Sequence, residues 1–158
     1  MKNLRKLVKK IPGMILCIAV LVIIGSSLAG ATGNISDQNW GQDENGGNHY
    51  FQASNPFLTT AVRVKLDNTS TYCWFKTGTL GSIRITIYGS ASNSTTNNPV
   101  NCTGPSIANP LAYYTMQYQN ANKYFMNTVY ERSLPYSFIK FTSYTTGTAQ
   151  GVWSPDSV

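Results

Sequence analysis

Catalysis in this chain would have to rest on one histidine or on a pair of carboxylates. His49 is the single histidine, and it follows a polar, glycine-rich stretch. The chain contains no nucleophile-elbow pattern that would supply a serine for this histidine to activate. The acidic side chains are Asp37, Asp43, Glu44, Asp67, Glu131 and Asp156. The first three share that polar stretch and Asp67 lies in a turn. Glu131 and Asp156 remain for glycoside cleavage, and either can equally be a structural hydrogen-bond acceptor. The residues therefore predict a protein that is not an enzyme.

Metal and cofactor binding find as little support in the sequence. Asp43, Glu44, Asn45 and His49 are close together, but their spacing matches neither a calcium loop nor a zinc pair. We expect a solvated polar linker at this place, with no metal and no cofactor.

Two cysteines, Cys73 and Cys102, lie in the body of the chain. In an oxidising compartment an even pair favours one disulfide. It would close a loop of about 30 residues and contribute roughly 3.5 kcal/mol in the chain-entropy account. Two free thiols or an intermolecular link are the alternative.

Aromatic residues near Cys73 give the one functional signal. If Cys73 faces the core, alternation turns Tyr72 and Trp74 outward, and on the next strand it turns Arg84 and Tyr88 outward. If these two strands pair, one sheet face carries three aromatic rings among cations. Such a face stacks on glycans or packs against a surface protein. In the alternative arrangement Trp74 points into a two-layer core.

Short strands must position these residues. The segment 82–89 has the clearest alternation, with isoleucine at every second position, and 59–66 alternates apolar residues at 62, 64 and 66 with charged residues at 63 and 65. Further strands are expected over 71–76, 111–119, 124–131, 136–145 and 149–153, with a surface loop over 89–110. No helical period is evident in these segments. Six to seven strands predict an all-β fold, a single antiparallel β-sandwich or small barrel.

The first 31 residues have the three parts of a secretory signal peptide, which we expect to be helical. A basic start without acids precedes an apolar run over 14–24, and small residues follow. Ala29 and Ala31 have the spacing that signal peptidase accepts, which predicts a mature chain beginning at Thr32. The apolar run is shorter than the roughly 20 residues of a membrane-spanning helix. An uncleaved membrane anchor is the alternative.

Removing the signal changes the charge of the protein. The whole chain has 12 basic and 6 acidic residues, a net of +6. Five of the basic residues and no acid lie in the signal, which leaves seven basic residues against six acids, a net of +1. This balance argues against a nucleic-acid partner and against stable membrane insertion after cleavage. We predict a signal peptide over 1–31, a flexible polar lead-in over 32–55 and a β domain over 56–158.

Two segments resemble a family of small secreted proteins of unknown function from Gram-positive bacteria. They are NTVYERSLPYSFIKF at 127–141 and GVWSPDSV at 151–158, and the short WSPDS at 153–157 is the most specific part. The resemblance covers about 56–158. It implies an extracellular location and a β fold, and it brings no activity and no site residues.

Together these observations favour a secreted, non-catalytic protein, extracellular or associated with the cell surface. It would bind cell-wall glycan or a surface protein through the aromatic face that carries Tyr72, Trp74, Arg84 and Tyr88. The alternative is a bacteriocin-like secreted antagonist. A net charge of +1 gives that alternative little attraction to anionic lipid.

Overall fold

The computed structural model describes residues 33–42, 46–118 and 123–157, and the regular secondary structure in these ranges is entirely β. The strands within them are β1 Gln38–Trp40, β2 His49–Phe51, β3 Phe57–Thr59, β4 Arg63–Val64, β5 Thr71–Gly78, β6 Ser82–Ser90, β7 Val100–Asn101, β8 Tyr114–Gln117, β9 Tyr124–Phe125, β10 Tyr136–Thr142 and β11 Gly147–Ser154. In these ranges we find no helix with the length and apolar character needed to cross a bilayer. The predicted signal peptide, with Ala29 and Ala31, lies outside the described residues, as do Asp43 and Glu44.

The strands form two antiparallel sheets. The first sheet has the order β1-β11-β5-β9, with β2 also paired to β11. The second sheet has the order β3-β10-β6-β7, with β4 also paired to β10 and β8 to β6. The two sheets pack on each other as a sandwich, which confirms the predicted fold class.

The core lies between the inner faces of the sheets. On β6 the isoleucines at every second position point inward, as their alternation predicts, and Ile85 and Ile87 lie opposite Phe141 and Ile139 of β10. Trp153 of β11 enters the same cluster from the first sheet. Each such side chain, once fully buried, stabilises the fold by about 1.5–3 kcal/mol. On β6 the alternating isoleucines therefore set which face of the strand turns inward.

The segment predicted as a flexible lead-in instead contributes β1 and β2 to the first sheet. Trp40 of β1 is buried, stacks on Phe141 of the opposite sheet at 4.0 Å between ring centroids, and donates its indole N–H to the carbonyl of Val152 at 3.2 Å. Gly151 lies beneath this indole, where a Cβ atom would stand 2.9 Å from two of its ring carbons. A single tryptophan in a polar stretch thus anchors that stretch to the core.

The segment 63–66, which begins with β4, alternates as predicted, but its charged residues are the ones that point inward. Arg63 and Lys65 are buried, whereas Val64 and Leu66 are exposed. The Nζ atom of Lys65 lies 2.7 Å from Oδ1 of Asp156, and both side chains are fully buried. Nζ also donates to the carbonyl oxygens of Pro155 at 2.8 Å and Thr69 at 2.5 Å. All three protons of the ammonium group therefore have acceptors, which is what makes its burial tolerable.

The carboxylate and the neighbouring guanidinium tie further segments to this point. Oδ2 of Asp156 accepts the amide protons of Asn34 at 2.5 Å and Leu66 at 3.1 Å. Arg63 donates to the carbonyl of Ser36 at 2.6 Å and to the side-chain oxygen of Asn34 at 2.7 Å. The buried charges hold the chain around 34–36, 63–66 and 153–157 together. This buried group of Arg63, Lys65 and Asp156 is called the charge cluster below.

Replacing Lys65 by Met should lower the free energy of unfolding by about 3–5 kcal/mol, because it leaves a buried carboxylate without its cation. The double variant Lys65→Met/Asp156→Asn should recover part of this loss, since the uncompensated charge is gone. Urea denaturation followed by tyrosine and tryptophan fluorescence measures both. Lys76→Met, at an exposed site of β5, is the control. Equal denaturation midpoints for Lys65→Met and Lys76→Met would contradict the role given to the charge cluster.

Candidate functional site

The four residues predicted to form one aromatic face are divided between the two sheets. Tyr72 and Trp74 lie on β5 in the first sheet, and Arg84 and Tyr88 lie on β6 in the second. All four are on the outer faces, where β5 and β6 alternate buried with less buried residues. The two strands are consecutive but do not pair with each other, so the predicted common surface does not form.

The connection between β5 and β6 explains this division. Leu80 is buried, and both Thr79 and Leu80 donate their amide protons to the carbonyl of Thr148 in β11, at 2.9 and 3.2 Å. Because Leu80 inserts into the core at this point, the chain crosses to the second sheet and does not turn back beside β5. A short loop with glycine at its end would otherwise favour a hairpin.

The predicted disulfide between Cys73 and Cys102 is a further correction, because both cysteines are buried free thiols. Cys73 lies on β5 of the first sheet. Cys102 follows β7 and donates its amide proton to the carbonyl of Ile87 in the second sheet at 2.9 Å. Burial raises the pKa of both thiols, and that of Cys73 rises well above its ordinary value. Both residues act as small apolar side chains in the core.

Trp74 faces outward, but it does not present a bare ring. The Nζ atoms of Lys123 and Lys76 lie 3.8 and 4.8 Å from its ring centroid. Its indole N–H is buried and has no hydrogen-bond partner among the described residues. A ligand that stacks on this indole would first have to displace ammonium groups, so Trp74 is a poor binding platform.

Tyr88 also has a contact that accounts for its position. It lies opposite Phe138 of β10 and stacks on it, with ring centroids 5.3 Å apart and planes 11° apart. Phe138 points to the outer face yet is almost completely buried. Tyr88 therefore covers an apolar ring outside the main core. Arg84, by contrast, remains exposed on the same strand.

A groove on the first sheet brings Tyr72 together with a second tyrosine. Tyr124 of β9 lies opposite Tyr72 in the strand register, and the ring centroids are 5.5 Å apart. Tyr72 is half-buried, whereas Tyr124 is 54% exposed. The groove has a volume of about 200 Å³ and is lined by Ile35, Asp37, Tyr72, Tyr124, Ser154, Asp156 and Ser157. We call it the tyrosine groove.

The chemistry of the tyrosine groove combines aromatic rings, hydroxyl groups and one carboxylate near solvent. Burial raises the pKa of Tyr72, and the negative charge of Asp37 raises it further. The phenol therefore stays protonated and able to donate a hydrogen bond. The Asp156 carboxylate at the floor already accepts protons from Lys65, Asn34 and Leu66. Asp37 is exposed and can accept bonds from a ligand.

Sequence reasoning missed Asp37 and Tyr124 as members of this site. Asp37 precedes β1, in the stretch interpreted as a linker, and the sign that this stretch is ordered was Trp40 three residues later. Tyr124 lies in a predicted strand, but the pairing of that strand with β5 depends on contacts distant in sequence. Within the described ranges, no three side chains of His, Cys, Asp and Glu converge as metal ligands would.

The comparisons with known proteins place the chain in a family without an assigned function. Residues 25–157 match the family described as protein of unknown function (DUF2712), and the chain belongs to that family. This confirms the resemblance to an uncharacterised family. No curated protein and no solved structure matches the chain.

His49, the single histidine, lies on β2 with its ring against Phe51 at 4.5 Å between centroids. Its Nε2 atom is buried and has no hydrogen-bond partner in the described part of the chain. Burial lowers the pKa of His49 below 6.5, and a hydrogen bond to the Phe57 backbone only partly opposes this. The surroundings favour the neutral imidazole.

The free energy of unfolding should therefore fall as the pH drops from about 7 through the range below 6.5, because the unfolded chain binds a proton that the folded chain resists. His49→Gln should flatten the pH dependence in this range, since it removes the group that titrates. Urea midpoints of both proteins at several pH values measure the slopes. An identical slope for the two proteins would contradict the lowered pKa of His49.

Proposed function

We propose that this protein is a secreted, non-catalytic binding protein that takes a glycan into the tyrosine groove. The observation that carries the proposal is the convergence of Tyr72, Tyr124 and Asp37 on one groove of about 200 Å³. The C–H face of a sugar ring packs on a tyrosine ring, and its hydroxyl groups donate to a carboxylate. A few polar groups placed around apolar rings are typical of small-molecule sites.

The backbone around the tyrosine groove supports binding without rearrangement. Ser154 and Ser157 flank Asp156, whose carboxylate is fixed by Lys65 at 2.7 Å. Tyr72 lies on a strand paired on both sides, to β11 and β9. A ligand would meet side chains that are already ordered, so binding costs less conformational entropy.

Export supports an extracellular glycan as the ligand. Residues 1–31 carry the basic start, apolar run and small-residue end of a signal peptide. We propose that signal peptidase cuts after Ala31 and releases a chain of nearly balanced charge. Such a chain has little electrostatic attraction to membranes and meets wall glycans directly.

N-terminal sequencing of the protein recovered outside the producing cells should give Thr32 as the first residue. Ala31→Leu should block cleavage, because a large side chain does not fit the site that signal peptidase reads. The protein should then remain with the cell membrane on fractionation. Recovery of the unaltered chain in the membrane fraction, with Met1 to Thr32 intact, would contradict export by cleavage.

Retention of the mature protein on purified cell wall tests the glycan proposal. Tyr124→Ala and Tyr72→Ala should each weaken retention by about tenfold, because each removes one ring of the tyrosine groove. Tyr130→Ala is a matched control for Tyr124→Ala, since Tyr130 is 50% exposed, close to the 54% of Tyr124, but does not line the groove. Circular dichroism should show that all three variants are folded.

Undiminished retention of Tyr124→Ala would contradict binding in the tyrosine groove. Retention that disappears after enzymatic removal of wall proteins would indicate a protein ligand. Growth inhibition by the purified protein, without wall retention, would favour the antagonist.

A further inference from the structure

A second surface, on the outer face of the second sheet, has a different composition. Strand register aligns Phe57, Thr142, Arg84 and Thr115 in one row across β3, β10, β6 and β8. In an antiparallel sheet, residues in register point to the same face. Arg84 therefore lies on the outer face, on a strand between two others, in a row whose other members carry no charge.

Two tyrosine rings flank the Arg84 guanidinium. Its central carbon lies 4.5 Å from the ring centroid of Tyr113 and 5.8 Å from that of Tyr144. Tyr144 is 62% exposed, and its ring also contacts the edge of Phe57. The rings restrict the motion of the arginine side chain and leave its N–H groups free to donate.

A cleft of about 300 Å³ opens beside this arginine. Its remaining lining is rich in hydroxyl groups, from Ser82, Thr115, Thr142, Ser143 and Thr145. The Ser143 hydroxyl already donates to the Thr145 carbonyl at 2.9 Å, and the other hydroxyl groups can both donate and accept hydrogen bonds. We call this site the Arg84 cleft.

Positive charge in the Arg84 cleft is not neutralised by the described part of the protein. Both ion pairs among the described residues belong to Lys65, which does not line the cleft, and no acidic residue lines the cleft. Lys140 adds a second cation two residues before Thr142 on the same face, with its Nζ atom 3.9 Å from the ring centroid of Phe57. An excess of cations at one place on the surface attracts an anion.

We propose that the Arg84 cleft binds an oxyanion, either a carboxylate or a phosphate, carried by a saccharide. The planar guanidinium can donate two parallel hydrogen bonds to either group. The flanking tyrosines can pack on the sugar ring, and the serine and threonine hydroxyls can bond to its hydroxyl groups. An acidic peptide would satisfy the charge but would leave most of these hydroxyl groups unused. The cleft lies on the sheet opposite the tyrosine groove, so this inference does not depend on the proposed function.

Isothermal titration of the mature protein tests the proposal with four probes. They are an oligogalacturonate, glucose 1-phosphate, a neutral disaccharide and an oligoglutamate peptide. At least one of the first two should bind, and the pair shows whether carboxylate or phosphate is preferred. Arg84→Gln should weaken this binding by about tenfold, and Arg84→Lys by less, because a lysine keeps the charge but loses the paired hydrogen bonds.

Two control variants and one further cleft variant show whether the anion binds in the Arg84 cleft or elsewhere on the protein. Lys76→Gln removes the same charge from the opposite sheet and should bind like the wild type. Tyr124→Ala, in the tyrosine groove, should also leave anion binding unchanged, so the two sites can fail independently. Tyr144→Ala should weaken binding while the melting temperature stays near that of the wild type.

Four results would overturn the proposal. The first is that neither anionic saccharide binds at concentrations up to about 10 mM. The second is that Arg84→Gln binds the anionic saccharide as tightly as the wild type does. The third and fourth are that the neutral disaccharide, or the peptide, binds with the same affinity as the anionic saccharides. Binding that weakens when salt is raised to about 0.5 M is the expected sign of ionic recognition.

Discussion

A lysine cannot be buried in a protein without partners for its charge, and Lys65 finds them in a segment 91 residues further along the chain. Its ammonium group is held by Asp156, Pro155 and Thr69, so it joins the turn at Thr69 to the C-terminal segment at 155–156. The carboxylate in turn accepts the backbone amide protons of Asn34 and Leu66. The charge cluster therefore joins the chain around Asn34 and the C-terminal segment around Asp156 to the residues that follow β4. The floor of the tyrosine groove is part of the same arrangement. A loss of the ion pair would therefore disturb the groove as well as the fold.

The segment WSPDS at 153–157 has a structural role that follows from this constraint. Trp153 fills the core, and the Ser154 hydroxyl donates to the carbonyl of Asp156 at 2.9 Å, which shapes the turn that presents the carboxylate. The amide of Ser157 donates to the Thr69 hydroxyl at 2.9 Å. Each of these residue types thus has a contact inside the protein. A motif that is distinctive in a sequence can mark a packing solution as readily as a catalytic site.

The sequence predicts those features of this fold that depend on local alternation. The isoleucines of β6 and the outward turn of Tyr72 and Arg84 follow from the two-residue period of a strand. Apolar alternation in 59–66 misleads, because it cannot reveal that Asp156 lies opposite to receive Lys65. Partner choice between strands is equally hidden, and the division of the aromatic face between two sheets depends on the burial of Leu80. The separation of Cys73, on the first sheet, from Cys102, which follows a strand of the second sheet, is hidden in the same way. Distant pairing, which no local pattern encodes, decides all of these outcomes.

The surface cations illustrate how a chain with few acids manages its positive charge. Arg84, Lys123 and Lys140 each lie within 4.5 Å of an aromatic ring centroid, and no ion pair found among the described residues includes them. An exposed contact of this type contributes only about 0.5–1 kcal/mol, which is less than a charge-assisted hydrogen bond provides. An incoming anion therefore need not break an ion pair to engage such a cation. Aromatic rings hold the cations in place and leave their hydrogen-bonding capacity largely unused. In this respect the abundance of tyrosine serves the surface as much as the core, since it keeps charged groups ordered and still available for binding.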